Sequence, residues 1–205
     1  YELVLIPETL QVDEGLKKKL RVYLKSGGAL IVVGAAALDS DGKPILDELG
    51  IVAHGESPYT ATYLRPDRTI AKGLPDLDAV MYERGLRMTA RKGAVALCRV
   101  VEPYFERSYA HFCSHQQTPP DKLSRYAAAV QNGRAITFAV PILSAYGKHS
   151  SIPYRRILGN CIDRLMPRPL IRDGGPAHME ATVVRKGIRT VVHLLSFYPA
   201  RRAEG

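Results

Sequence analysis

Residues 102–122, EPYFERSYAHFCSHQQTPPDK, hold the densest run of side chains that could do chemistry. A metal site could draw on His111 and His115, because four-residue spacing would put both on one helix face. Pro119 and Pro120 follow closely, no Glu follows His111, and no third ligand is evident. A nucleophile could be Cys113, activated by His111 or His115, although a free cysteine most often only packs. The third reading is a loop that forms an interface or lines a neighbouring pocket. Its contact residues would be Arg107, His111, Phe112, Ser114, His115 and Gln116, beside the aromatic Tyr104, Phe105 and Tyr109. Mixtures of aromatic rings with His and Arg suit sugar and protein contacts. The stretch is too long and too varied for a mere connector, so the third reading is preferred over simple packing.

Two further places could hold chemistry. Asp39-Ser40-Asp41-Gly42-Lys43-Pro44 offers two carboxylates, but it lacks the additional ligands of a calcium loop and reads as a solvated turn. Val33-Gly34-Ala35-Ala36-Ala37-Leu38 follows an apolar strand, at the strand end where open parallel sheets carry their sites. No GxGxxG fingerprint accompanies it, which speaks against a dinucleotide.

These places need a frame to position them. Tyr1 to Ile6 is a short apolar run closed by Pro7, as a buried strand would be. Asp13 can cap a helix on which Val12, Leu16, Leu20 and Leu24 share one face, with Lys17, Lys18, Lys19, Arg21 and Lys25 elsewhere. Gly27 and Gly28 stop it, and Ala29 to Val33 is apolar throughout, a strand covered on both faces. A strand-helix-strand crossover of this length implies a parallel sheet. Further on, the sequence suggests a short helix at Ile45 to Leu49 ended by Gly50, an irregular span from Ile51 to Asp78 with a short strand at Thr60 to Leu64, and an apolar tether at Ile70 to Pro75. Met81 to Ala90 and Ala94 to Val101 read as a strand pair around Lys92-Gly93. Tyr126 to Val130 is small and apolar, Asn132-Gly133 a turn, Arg134 to Val140 a strand, and Ser144 to His149 a loop at its end. Ser150 or Ser151 caps a helix with Pro153 in its first turn and Ile157, Leu158, Cys161, Ile162 and Leu165 on its apolar face. Leu170 to Ala177 is a linker, and His178 to Lys186 and Ile188 to Tyr198 form a hairpin near Gly187 that carries His193 as a structural residue. Two strands alone are marginal, so the hairpin is expected to pack on the preceding domain or to belong to a larger sheet of the full-length protein.

Composition bounds the rest. The 205 residues are 46% hydrophobic and 24% charged, a globular balance with room for one domain plus an extra element. The formal net charge is +9, but its Lys and Arg are spread out and no nucleic-acid motif accompanies them, so a basic surface is expected and nucleic acid is not. No apolar run approaches a membrane span of roughly 20 residues, and no membrane partner is expected. Cys98, Cys113 and Cys161 form no CxxC pair, which argues against a disulfide framework or zinc and favours a reduced, cytoplasmic setting. No cofactor is expected. The chain opens on Tyr1, inside a strand and without Met, as a piece of a longer protein would, with any signal region outside it.

Gly27-Gly28, the strand Ala29 to Gly34 and the turn after it resemble the class I glutamine amidotransferase-like superfamily, whose active members carry a cysteine at that turn. Here the cysteine position falls on Ala35, so the resemblance implies no catalytic residue at the nucleophile elbow. The order YELVLIPETLQVDEGLKKKLRVYLKSGGALIVVG, EPYFERSYAHFCSHQQTPP, GRAITFAVPILSAYG and TVVHLLSFYP is similar to the trimerisation domain of family 42 beta-galactosidases and of fucosidase-like glycoside hydrolases. That resemblance implies an α/β, flavodoxin-like parallel sheet flanked by helices over residues 1–168, and a linker with a hairpin from a small β domain over 169–205. It implies a non-catalytic accessory and oligomerisation domain in a homo-oligomer. The partners would be an N-terminal TIM-barrel domain of the same parent chain and that parent's carbohydrate substrate. Loop 111–116 would be the part that reaches an active site. Two alternatives stay open: a self-contained amidotransferase-like hydrolase using Cys113 with His111 or His115, and a small-molecule-binding flavodoxin-like module around Gly34 to Asp41 and Ser144 to His149.

Overall fold

A computed structural model describes residues 1–172, 175 and 178–197. In chain order its elements are β1 (Leu3–Ile6), α1 (Glu14–Lys25), β2 (Ala29–Val33), β3 (Ile51–Glu56), β4 (Thr62–Pro66), β5 (Ala79–Met81), β6 (Leu86–Ala90), β7 (Val95–Pro103), β8 (Pro120–Asn132), β9 (Ala135–Phe138), α2 (Ile142–His149), α3 (Ile152–Leu165), β10 (Met179–Lys186) and β11 (Arg189–Ser196). Residues Tyr1–Met166 form one compact unit and Pro167–Gly205 a second. Among the described residues no helix is long and apolar enough to cross a membrane.

The first unit is an α/β, flavodoxin-like sheet with helices on both faces, and β10 and β11 form a separate antiparallel pair. The opening crossover forms as its sequence implies. The Asp13 carboxylate accepts the Leu16 amide at 2.7 Å and starts α1. After Ser26 the chain turns through Gly27 at φ +90°, a conformation that costs a glycine little. β2 then pairs in parallel with β1 on one side and β9 on the other, and all five of its residues are buried.

Alternation along β2 sorts two cores, as a period of two requires. Ala29, Ile31 and Val33 pack with Tyr154, Ile157, Cys161 and Leu165 of α3. Leu30 and Val32 pack on the other face with Leu20, and with Val12, Leu16 and Leu24 alongside.

Parallel pairing stops at β9. The order continues β9-β8-β7-β4-β5 with every pair antiparallel, while β6 pairs with both β8 and β3. Four expectations change here. The span from Ile51 onward is not irregular, because β3 crosses it; His54, Gly55 and Glu56 interrupt its apolar alternation and hide the strand. Met81 to Ala90 and Ala94 to Val101 are not one strand pair: β6 joins β3 and β8, whereas β7 joins β4 and β8. The turn between them is anchored by the Arg91 amide donating to the Gly50 carbonyl at 2.8 Å, which holds β6 on β3. Tyr126 to Val130 lies inside the longest strand of the sheet, β8, where three successive alanines give little intrinsic strand signal. Finally, Ser144 to His149 is not a loop but most of α2. Its first turn is capped from far away: Glu8 Oε1 accepts the Ser144 amide at 2.7 Å and the Ser144 hydroxyl at 2.5 Å, where a carboxylate suits the helix dipole. A local reading of Pro141, Ser144 and Gly147 cannot see that cap.

α3 closes the far edge of the sheet. The buried Tyr154 hydroxyl donates to the Val80 carbonyl at 2.7 Å and accepts the Tyr82 amide at 3.3 Å, and Asn160 donates to the carbonyls of Ile70 and Lys72. The Val80 carbonyl belongs to the edge strand β5, and the Asn160 bonds hold the turn that precedes it. Replacing Tyr154→Phe keeps the ring and strands both partners, so the unit should lose about 2 kcal/mol of stability. A urea titration checks this: the midpoint should fall with an unchanged slope.

Candidate functional site

β2 ends in a 3₁₀ turn, Gly34–Ala37, that begins with Gly34 at φ +56°. The positive φ favours glycine there, and a Cβ on Gly34 would also sit 3.1 Å from the Glu8 Cβ, a tight contact. Ala36 and Ala37 point into the core, while Ala35 is exposed. Ala35 borders a cleft of about 590 Å³ whose walls include Glu8, Val12, Asp13, Lys17 and Asp39. The chain thus keeps a sharp strand-to-turn backbone and presents only a methyl group at its tip, which offers neither nucleophile nor acid–base function.

The carboxylates around this cleft are engaged in structure. Asp13 caps α1, Glu14 binds Lys17 at 2.6 Å, and Glu8 caps α2. Asp39 Oδ1 accepts the amides of Lys43 and Asp41, and the Lys43 bond leads in holding its carboxyl below the usual range. The Asp39–Pro44 stretch is the solvated turn its composition suggests, closed by pairing of Leu38 with Pro44.

The end of α2 carries a second cluster. His149 Nε2 lies 2.7 Å and Lys148 Nζ 2.8 Å from the same Glu83 oxygen, and the Tyr82 ring stands 5.1 Å from the imidazole. The Lys148 contact is the main cause that lowers the Glu83 pKa, opposed by burial and aided by His149. Sequence inspection singled out His149 only within its segment and missed Glu83 and Glu8 altogether. Their partners lie 66 and 136 residues away, so no local pattern marks them.

The 104–119 segment is a loop with no helix, so His111 and His115 do not share a helical face. Its base is well tied. Glu106 accepts the Thr60 amide at 2.8 Å and the Thr60 hydroxyl at 2.6 Å; Tyr63 donates to the Thr118 carbonyl, and Thr118 to the Phe105 carbonyl. Arg107 donates to the Gln116 carbonyl at 2.5 Å and cross-braces the tip, while the Ser108 hydroxyl accepts the His111 amide. The Cys113 sulfur lies 3.5 Å from the carbonyl oxygens of His115 and Gln117, so its bonds run to backbone and not to an imidazole. His111 instead packs near Phe105, with ring centroids 6.1 Å apart. Among the described residues no group of three His, Cys, Asp or Glu is placed to hold a metal. Tyr104, Tyr109 and Phe112 project outward, Tyr109 completely so, and Ser114, His115 and Gln116 are exposed beside them. The loop thus combines a braced base with an exposed aromatic tip.

No protein-family model matches the sequence, and no curated protein matches it either. Solved structures do match in fold. The whole chain superposes on part of α-L-fucosidase isoenzyme 2 from Paenibacillus thiaminolyticus, at 24% identity and a TM-score of 0.89, covering 100% of this chain and 31% of that one. A cold-adapted β-galactosidase from Rahnella sp. R3 aligns at 14% identity and a TM-score of 0.63, over 96% of this chain and 27% of its own. A ThuA-like protein from Bacteroides uniformis aligns at 13% identity and a TM-score of 0.54, over 81% of this chain and 69% of its own. The chain therefore spans about a third of the first two proteins it is similar to. The fold resemblance read from the sequence to parts of glycoside hydrolases holds, and the ThuA-like protein shares the fold.

Two outcomes follow from this geometry. Cys98 and Cys161 are buried, and burial pushes the Cys161 thiol up to about 12 and that of Cys98 higher still; Cys113 alone is partly exposed. A chromogenic thiol reagent should titrate a single cysteine in the native protein, and Cys113→Ser should abolish that signal. Glu83 gives a pH signature. A carboxylate held below its ordinary pKa stabilises the fold above that value, and this stability is lost as acid titrates it. Glu83→Gln should lower the urea midpoint near pH 7, and the gap to the parent protein should close between about pH 5 and pH 3.

Proposed function

We propose that this chain is a non-catalytic accessory and oligomerisation domain of a larger glycoside hydrolase of the β-galactosidase or α-L-fucosidase kind, with the catalytic barrel in another part of the parent. The observation that carries this reading is the superposition of the entire chain on under a third of the fucosidase. The methyl group of Ala35 at the strand-end turn supports the non-catalytic part. The braced loop supports the rest: Arg107, His111, Phe112, Ser114, His115 and Gln116 would face a sugar pocket or a neighbouring subunit. Aromatic tips on rigid supports give contact area at low entropic cost.

Residues 169–205 would act as a linker and a contribution to a small β domain. β11 leaves Val191 and Leu195 on one face and Val192 and Leu194 on the other, all exposed. Apolar residues on both faces of a two-stranded sheet call for further strands around it.

The test is a panel of aryl glycosides, galactosides and fucosides included, assayed with the full-length parent and with this chain alone. The parent should cleave one class and this chain none. In the parent, Phe112→Ala with His115→Ala should either dissociate the oligomer or raise KM by about tenfold, the scale of one lost contact of 1.4 kcal/mol. A parent that cleaves no glycoside, or a variant that changes neither assembly nor kinetics, would overturn the reading.

A further inference from the structure

β8 carries an irregularity that no part of the reading above uses. Val101 pairs with Leu123 and Arg99 with Ala127, so the step of two residues on β7 faces a step of four on β8. Ser124, Arg125 and Tyr126 fill that bulge. Arg99 Nη2 donates to the freed Ser124 carbonyl at 2.7 Å, and the Ser124 hydroxyl lies 3.3 Å from the Tyr126 amide and 2.9 Å from the Glu102 carboxylate. Met88 of β6 pairs with Ala127 directly after it. Bulges re-aim side chains, and here three cations gather as a result.

Arg125 Nη2 lies 2.9 Å from the Tyr126 hydroxyl, and the Arg125 and Arg87 guanidinium carbons stand 5.0 and 4.9 Å from the ring centroid of Tyr126. Arg87 and Lys122 approach the single carboxylate, Glu102, only to 3.6 and 3.9 Å. Those separations exceed a charge-assisted hydrogen bond of about 2.8 Å, so neither cation is saturated by Glu102. His54 adds a ring 5.5 Å from Tyr126. Arg125 and Lys122 are exposed, Arg87 is partly exposed, and the Tyr126 ring that the two guanidinium groups flank is buried; Tyr104 is exposed a little beyond the end of β7. The cavity beneath, lined by Ser57, Thr62, Arg87 and Glu102, measures about 10 Å³, room for one water and no ligand. The face is therefore shallow, preorganised and positive.

We infer that the β8 bulge, through Arg87, Lys122 and Arg125 arrayed around the buried Tyr126 ring, is a docking surface for an acidic protein surface. A shallow face with Arg and aromatic residues has the composition of a protein interface. A second copy does not suit it, because each copy carries +9 and a two-fold contact would set the same cations against each other. Aspartate or glutamate side chains of a partner would complete the forks that Glu102 leaves open. The inference does not depend on the glycoside hydrolase reading.

The experiment compares Lys122→Glu/Arg125→Glu with a charge-matched control, Lys18→Glu/Lys19→Glu on the exposed side of α1. Each is titrated with poly-L-glutamate of defined length and with a 20-nucleotide single strand, at low and physiological salt. Circular dichroism checks folding, and Lys122→Gln/Arg125→Gln serves if the reversal unfolds the unit. The bulge variant should weaken poly-L-glutamate binding by about tenfold and the control by less than about twofold. Equal losses would mean overall charge alone and overturn the inference. A larger bulge-specific loss for the nucleotide strand would assign the face to nucleic acid instead. Self-association in sedimentation that only the bulge variant abolishes would assign it to a second copy.

Discussion

One strand carries the constraint on which the rest of the sheet depends. β8 pairs with β7 along most of its length, with β9 through Ala129–Asn132 and with β6 through Ala127, so it joins the parallel ladder to the antiparallel part. Its bulge at residues 124–126 lies directly before Ala127, where β6 joins. β6 brings β3 with it, and Ile51 and Met88 join Leu30 and Val32 in the core on the α1 side of the sheet. Arg99 stabilises the bend by binding the carbonyl that the bulge frees.

The parallel ladder has a different dependence. Its helices are held by contacts that reach across the chain: Glu8 from the end of β1 caps α2, and Tyr154 and Asn160 of α3 bind the segment from Ile70 to Tyr82. The Glu8 bonds tie the segment after β1 to the start of α2, which follows β9. Glu8, Asp13 and Asp39 could look like an acidic catalytic set in a list of residues, yet each already supports a helix or a turn. With Ala35 at the tip, the carboxylates around this strand end hold a helix or a turn in place.

How far the sequence could be read follows the range of the interactions. The crossover from β1 to β2 was legible because its signals are local: Asp13 three residues before Leu16, the four-residue apolar spacing, and the Gly27 stop. α3 was legible for the same reason. β3, α2 and the extent of β8 were not, because a partner distant in sequence decides each one. β3 exists against β6, α2 against Glu8, and the alanines of β8 against neighbours on three strands. The site shows the same division. The loop at 104–119 was visible as an unusual composition, and its lack of helical spacing for His111 and His115 was not. Glu83, Glu102 and Arg87 gave no local sign, since their roles arise where separate strands converge.

The two faces that remain open share a physical logic. The 104–119 loop continues β7 into β8, and the bulge lies a few residues further along the same hairpin, so one ladder supports both. That ladder is the most heavily braced part of the antiparallel sheet: Tyr63, Thr60, Arg99 and Ser124 all bind into it or its loop. Binding costs the order that must be imposed on contact residues, and here the fold has already imposed it on the backbone beneath the aromatic tip and on the guanidinium groups around Tyr126. A unit with a methyl group at the tip of its β2 turn and two braced, exposed surfaces on one hairpin has the features that the proposed accessory role would use.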